Sequence, residues 1–159
     1  MAFEQKNIGI DKAWQKIKHY CAYQERNHTE VKQKLYGYGL YKQEVEQLLS
    51  QLINENYLNE ERFAIAFAGG RFRMKQWGKT KITFELKQKK ISDYCIKKAL
   101  AQIDATDYAA TLQKLATEKW EQLKGEGNIF TKRSKLQNYL MSKGYEYHLI
   151  AEMVQRLSN

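Results

Sequence analysis

Apolar residues recur along this chain at intervals of three and four. Ala13, Ile17, Tyr20 and Cys21 form one such set; Val45, Leu48, Leu49 and Leu52 a second; Ile96, Ala99, Leu100 and Ile103 a third. That spacing places each set on one face of an amphipathic helix, and strand-like alternation hardly occurs. The periodic runs break at Gly37, Gly39, Gly78, Gly125, Gly127 and Gly144, and at the polar cap candidates Asn59, Ser92 and Asp107. Asn59-Glu60-Glu61 reads as a helix start, with two carboxylates where the helix dipole favours them. The pattern predicts an all-α chain of about nine helices.

The pattern also repeats. Shifted by 51 residues, Val31, Leu35, Leu40, Val45, Leu49 and Leu52 fall on Ile82, Leu86, Ile91, Ile96, Leu100 and Ile103. A further shift of 54 brings these onto Leu136, Leu140, Tyr145, Ile150, Val154 and Leu157. The turns coincide as well, at Gly39, Lys90 and Gly144. Each copy reads as two short helices preceded by a longer one, over residues 11–25, 59–75 and 107–124. The expected architecture is three tandem three-helix repeats, 1–57, 58–104 and 105–159, forming an elongated, curved array. Such a body suits lying along another macromolecule better than enclosing a small substrate.

Composition narrows the class. The 159 residues contain no proline, which argues against polyproline and Pro-rich linker architectures. A hydrophobic content of 43% with 13% aromatic residues excludes a wholly disordered chain. No apolar run is long enough to span a bilayer, and residues 1–12 show no export signal, so a cytoplasmic protein is expected. Cys21 and Cys95 have no metal spacing and read most simply as two thiols in a reducing compartment, although a disulfide between them stays open.

Catalytic motifs fail on inspection. Gly78-Lys79-Thr80 resembles the end of a phosphate loop, but the glycine needed five residues upstream is Arg73. His19, His28 and His148 lack zinc spacing, and no nucleophile motif is present. The chain is expected to be a non-enzyme without metal or other cofactor.

Charge is the most informative count. The chain carries 27 Lys and Arg against 18 Asp and Glu, a net +9. Residues 62–98 alone hold 11 basic and 2 acidic side chains, whereas the flanking segments are close to neutral. The excess therefore forms a patch belonging to the middle repeat. Arg71, Arg73, Lys75, Lys79, Lys81, Lys87, Lys90 and Lys97 are its candidate binding residues, with Lys89 and Lys98 beside them. Such a surface fits phosphates, carboxylates on a protein, or simple solvation. Phe72 and Trp77, interleaved with the cations, read as core or junction packing ahead of base-stacking platforms.

Tyr57-Leu58-Asn59-Glu60-Glu61-Arg62-Phe63-Ala64, followed by Arg71, Gly78, Lys81-Ile82, Glu85-Leu86 and Ile91, resembles the signature stretch of the RecX family. Upstream, Arg26, Glu30 and Lys34-Leu35 resemble a second family segment. His28 or Thr29 stands where the family often has Ser, and Lys90 where it usually has Gly. Carried over, Leu58, Arg62, Phe63, Ala64, Gly78, Ile82 and Leu86 are structural motif positions.

The resemblance implies a regulator of the bacterial recombinase RecA. Such a protein docks in the groove of the RecA–single-stranded DNA filament and modulates its extension, ATPase and strand exchange, in recombination, DNA repair and the SOS response. The partner implied is the RecA filament, with single- or double-stranded DNA as a further candidate. No membrane partner is expected, and the chain is expected to be a monomer. The alternative is an independent nucleic-acid-binding helical module.

Overall fold

The computed structural model describes residues 6–159; residues 1–5, which the search for an export signal also covers, lie outside them. The described residues form nine helices and no strand. In chain order these are α1 (Ile10–Tyr23), α2 (His28–Gly37), α3 (Lys42–Asn54), α4 (Glu60–Lys75), α5 (Lys79–Gln88), α6 (Asp93–Ala101), α7 (Ala105–Gln122), α8 (Ile129–Lys143) and α9 (Tyr147–Ser158).

Local chemistry starts and stops these helices. Asn27 caps α2 in a reciprocal box: its side chain accepts from the Glu30 N–H (2.8 Å), while Glu30 accepts from the Asn27 N–H (3.3 Å). Asn59 and Ser92 cap α4 and α6 as expected. For α7 the cap is Asp104 and not Asp107, whose own N–H donates to it (2.9 Å). The helix consequently begins two residues earlier than the apolar pattern alone predicts.

The threefold repetition holds at the level of burial. The first four matched positions of each repeat are buried in every copy, from Val31, Leu35, Leu40 and Val45 to Leu136, Leu140, Tyr145 and Ile150. The fifth (Leu49, Leu100 and Val154) is half-buried in every copy. Each matched turn has a residue in the left-handed region, at Gly39 (φ 81°), Lys90 (φ 63°) and Gly144 (φ 91°).

The repeats do not bury their apolar faces separately, however. α1–α3 close around one cluster that includes Ile17, Val31, Leu35, Leu48, Leu52 and Leu58. A second, continuous cluster runs from Phe63 on α4 through Ile82, Leu86 and Tyr108 to Ile150 and Met153 on α9. Three repeats thus build two cores. The accessible surface of 10343 Å² exceeds the roughly 8300 Å² of a compact monomer of this mass, as an elongated build requires. Cys21 and Cys95 are free thiols in different cores. Burial pushes the Cys21 thiol up to about 11, partly offset by the nearby Arg26, which makes it a poor nucleophile.

Candidate binding site: cations at the junction of the second and third units

α4 ends at Gln76, whose left-handed backbone (φ 58°) turns the chain sharply. The turn sets Trp77, half-buried, between α4 and α5. Three cations converge on its indole: Lys81 Nζ lies 4.6 Å, Lys75 Nζ 5.5 Å and the Arg71 guanidinium 5.6 Å from the ring centroid. Lys79 Nζ lies 4.8 Å from the centre of the neighbouring Tyr108 ring. Such cation–π contacts contribute about 0.5–1 kcal/mol each at exposed sites and draw the charges together. Among the described residues, the ion pairs are Arg26–Glu30, Arg62–Glu25, Lys135–Glu126 and Arg156–Glu152. None involves a cation of this cluster.

The start of α5 adds to the field. Lys79 and Lys81 occupy its first turn, which holds no acidic residue, and the positive end of a helix dipole disfavours cations there. In the first repeat the position matching Lys81 is Glu30, the capping-box carboxylate. Charge has been placed where helix stability alone opposes it.

With no side-chain cap available at Gly78, α5 is capped by the third unit. The Gly78 N–H donates to the Lys143 carbonyl (2.8 Å), and the Thr80 and Lys81 N–H groups donate to the Gly144 carbonyl (2.9 and 3.3 Å). The Lys79 N–H donates to the Tyr108 hydroxyl (2.9 Å), which in turn donates to the Glu146 carboxylate. Tyr145 closes the ring of contacts by donating to the Gln76 carbonyl (2.9 Å). Burial raises both tyrosine pKa values, and the hydrogen bond to Glu146 reinforces this for Tyr108. Both phenols therefore stay protonated as donors. The close approach depends on glycine: a Cβ on Gly78 would lie 2.4 Å from the Gly144 carbonyl carbon, and one on Gly144 would lie 2.1 Å from Lys81 Cβ.

The eight cations singled out by the sequence do not form one surface. Arg71, Lys75, Lys79 and Lys81 meet at this junction. Arg73 points elsewhere, over Gly69, into a cavity of about 300 Å³ that it lines with Asp104 and Asp107. Lys87 near the end of α5, Lys90 in the turn that follows it and Lys97 on α6 are exposed, and none of them makes a cation–π contact with Trp77. Lys143, from the third repeat, joins the cluster by donating to the Lys75 carbonyl (3.4 Å). Charge counting by segment passes over it because its own segment is near neutral. Its signal is its position, one residue before the glycine of the third matched turn. Phe72 is buried core, and Trp77 packs against that core while carrying the cations.

The motif residues hold the frame. Leu58 seals the first core, while Phe63, Ala64, Ile82 and Leu86 belong to the second. Arg62 joins the two: its Nε pairs with Glu25 at 2.5 Å, and its terminal nitrogens donate to Asn56 Oδ1 (3.3 Å) and to the carbonyls of Asn56 (3.1 Å) and Tyr57 (3.3 Å).

Two profiles match this frame: the RecX second three-helix domain over residues 59–100 and the RecX third three-helix domain over residues 106–154. A regulatory protein RecX from Prosthecochloris aestuarii is 30% identical over 138 residues, which cover 87% of this chain and 88% of that protein. The chain belongs to the RecX family. A regulatory protein RecX from Clostridium perfringens is 31% identical over 135 residues; the match covers 84% of this chain but only 63% of that relative's length. The crystal structure of RecX from Lactobacillus salivarius superposes with a TM-score of 0.82 over 93% of this chain and 96% of that one. At 22% identity, that likeness speaks for the fold. Of the residues named above, Gly78 makes the close approach to the third unit, and Ile82 and Leu86 lie in the core that the second and third units share. Among the described residues, no helix is long and apolar enough to cross a membrane, and no three of His, Cys, Asp or Glu gather as metal ligands would.

Proposed function

We propose that this chain regulates the RecA recombinase by lying along the RecA–single-stranded DNA filament, where it limits filament extension, ATP hydrolysis and strand exchange. The observation that carries this reading is the junction cluster. Among the described residues, Arg71, Lys75, Lys79 and Lys81 stand together without ion-pair partners, and two of them, Lys79 and Lys81, sit at the start of α5, where the helix dipole disfavours cations. Such an arrangement supports an anionic partner, and an elongated array of helical units supports a long one. The protein acts without chemistry of its own: by bridging successive protomers it favours some filament states over others. The cluster faces acidic groove surface or the DNA within it, and the chain works as a cytoplasmic monomer.

The test is a titration of RecA ATPase on single-stranded DNA with the wild-type chain and a quadruple charge reversal at Arg71, Lys75, Lys79 and Lys81. The variant is expected to need at least about tenfold more protein for the same inhibition, with its circular dichroism unchanged. Glutamate at position 81 restores the residue type that caps α2, so the reversal does not undermine the helix start. A folded quadruple variant that inhibits as well as the wild type overturns the site. Binding of DNA alone, with no effect on RecA, overturns the partner.

A further inference from the structure

The first unit carries a second cationic surface outside the patch that the charge count singles out. Lys16, Tyr20 and Tyr23 follow one another at helical spacing along α1, and Lys34 on α2 is followed one turn later by Tyr38, which caps that helix. With Arg26 they line a groove of about 640 Å³ that, among the described residues, has no carboxylate in its lining, although residues 1–61 as a whole are slightly acidic. Arg26 is fixed at its floor: Nε donates to the Tyr20 carbonyl (3.1 Å), and the guanidinium lies 3.8 Å from the centre of the Tyr20 ring. Glu30 is engaged with Arg26 at 3.8 Å and with the Asn27 N–H. Lys34 Nζ stands 5.3 and 6.0 Å from the Tyr20 and Tyr38 centroids, and Lys16 Nζ 5.9 Å from that of Tyr38. Both lysines flank the rings, and among the described residues neither forms an ion pair. Tyr23 carries no cation and is 83% exposed.

We propose that this groove binds single-stranded nucleic acid, with bases stacked on Tyr23 and Tyr38 and phosphates held by Lys16 and Lys34. Cations track a phosphate backbone, and aromatic faces receive unpaired bases of any sequence. The rings decide the class of partner. A duplex hides its base faces, and an acidic peptide has no use for an open tyrosine plane. The guanidinium over Tyr20 extends the floor as a further flat, cationic platform. Nothing in this assignment depends on the RecA reading, because the groove lies on the unit with its own core.

The experiment is fluorescence anisotropy of a dye-labelled single-stranded oligothymidylate, titrated with the full chain at several salt concentrations without RecA. Saturable binding is expected. The double variant K16E/K34E should bind at least tenfold more weakly and lower the slope of log K against log salt by about 1.4, the value for two lost single-strand phosphate contacts. Tyr23→Ala should weaken binding about tenfold, whereas Tyr23→Phe, which keeps the ring, should bind as the wild type does. Circular dichroism of each variant confirms the fold. Absence of binding by the wild type overturns the proposal. So does a K16E/K34E variant that binds normally while the quadruple junction variant does not, since that result moves the site to the middle unit. Loss through the lysines with none through Tyr23→Ala overturns stacking.

Discussion

Lys90 occupies a backbone conformation that its own side chain opposes. Its φ of 63° is the left-handed geometry that Gly39 and Gly144 supply without strain at the matched turns, and an L-residue there costs about 1–2 kcal/mol. Lys90→Gly is therefore expected to stabilise the protein by about 0.5–1 kcal/mol, after the greater freedom of glycine in the unfolded chain is subtracted; urea unfolding midpoints measure this. Tyr108 shows the opposite case, a residue fitted to two partners at once. Its pKa is raised by burial and by Glu146, so its contribution is fully present below the free tyrosine value of about 10 and falls as pH rises above it. Tyr108→Phe should cost about 2 kcal/mol at neutral pH by stranding the Lys79 N–H and Glu146, and should flatten the loss of stability above pH 10 in a pH series of denaturation curves. Lys90 was legible from the repeat alignment, which sets it against two glycines. Tyr108 was not, because its partners lie 29 and 38 residues away in sequence and no local pattern records them.

Among the helices, α5 is the one whose start depends on another unit. Its first N–H groups are met by the Lys143 and Gly144 carbonyls and by Tyr108, so helix, turn and cation cluster share one packing event. Gly78→Ala would drive a methyl group against the Gly144 backbone, which cannot rotate away as a side chain can. A loss of about 1–3 kcal/mol is expected, with hydrogen-exchange protection reduced at the start of α5 and the end of α8 while α1–α3 keep theirs. The sequence marks Gly78 as a helix break, and that is its local role. What makes glycine mandatory there is the close approach of the third unit, a distance that neither periodicity nor charge expresses. The same limit applies to the candidate site: Arg71 and Lys75 were readable as one face of a helix, but gathering Lys79, Lys81 and Lys143 needs the junction.

At the scale of the molecule, three matched repeats resolve into one unit with its own core and two that share another. Sliding the sequence over itself finds the repeats but treats them as equals; which neighbours merge depends on the glycine contact and the tyrosines between α5 and α7–α9. Leu35, fully buried in the first core, provides the test. Leu35→Ala should destabilise α1–α3 by about 2–5 kcal/mol and lower exchange protection there, leaving the protection of Leu86 and Leu140 in the second core nearly unchanged. The division also sets an order of events during synthesis. All members of the first cluster are in place once the ribosome has added Leu58, so α1–α3 can settle while translation continues. The second cluster draws on residues from Phe63 to Met153. The middle repeat must wait, its basic helices made but unanchored, until most of the third has been translated.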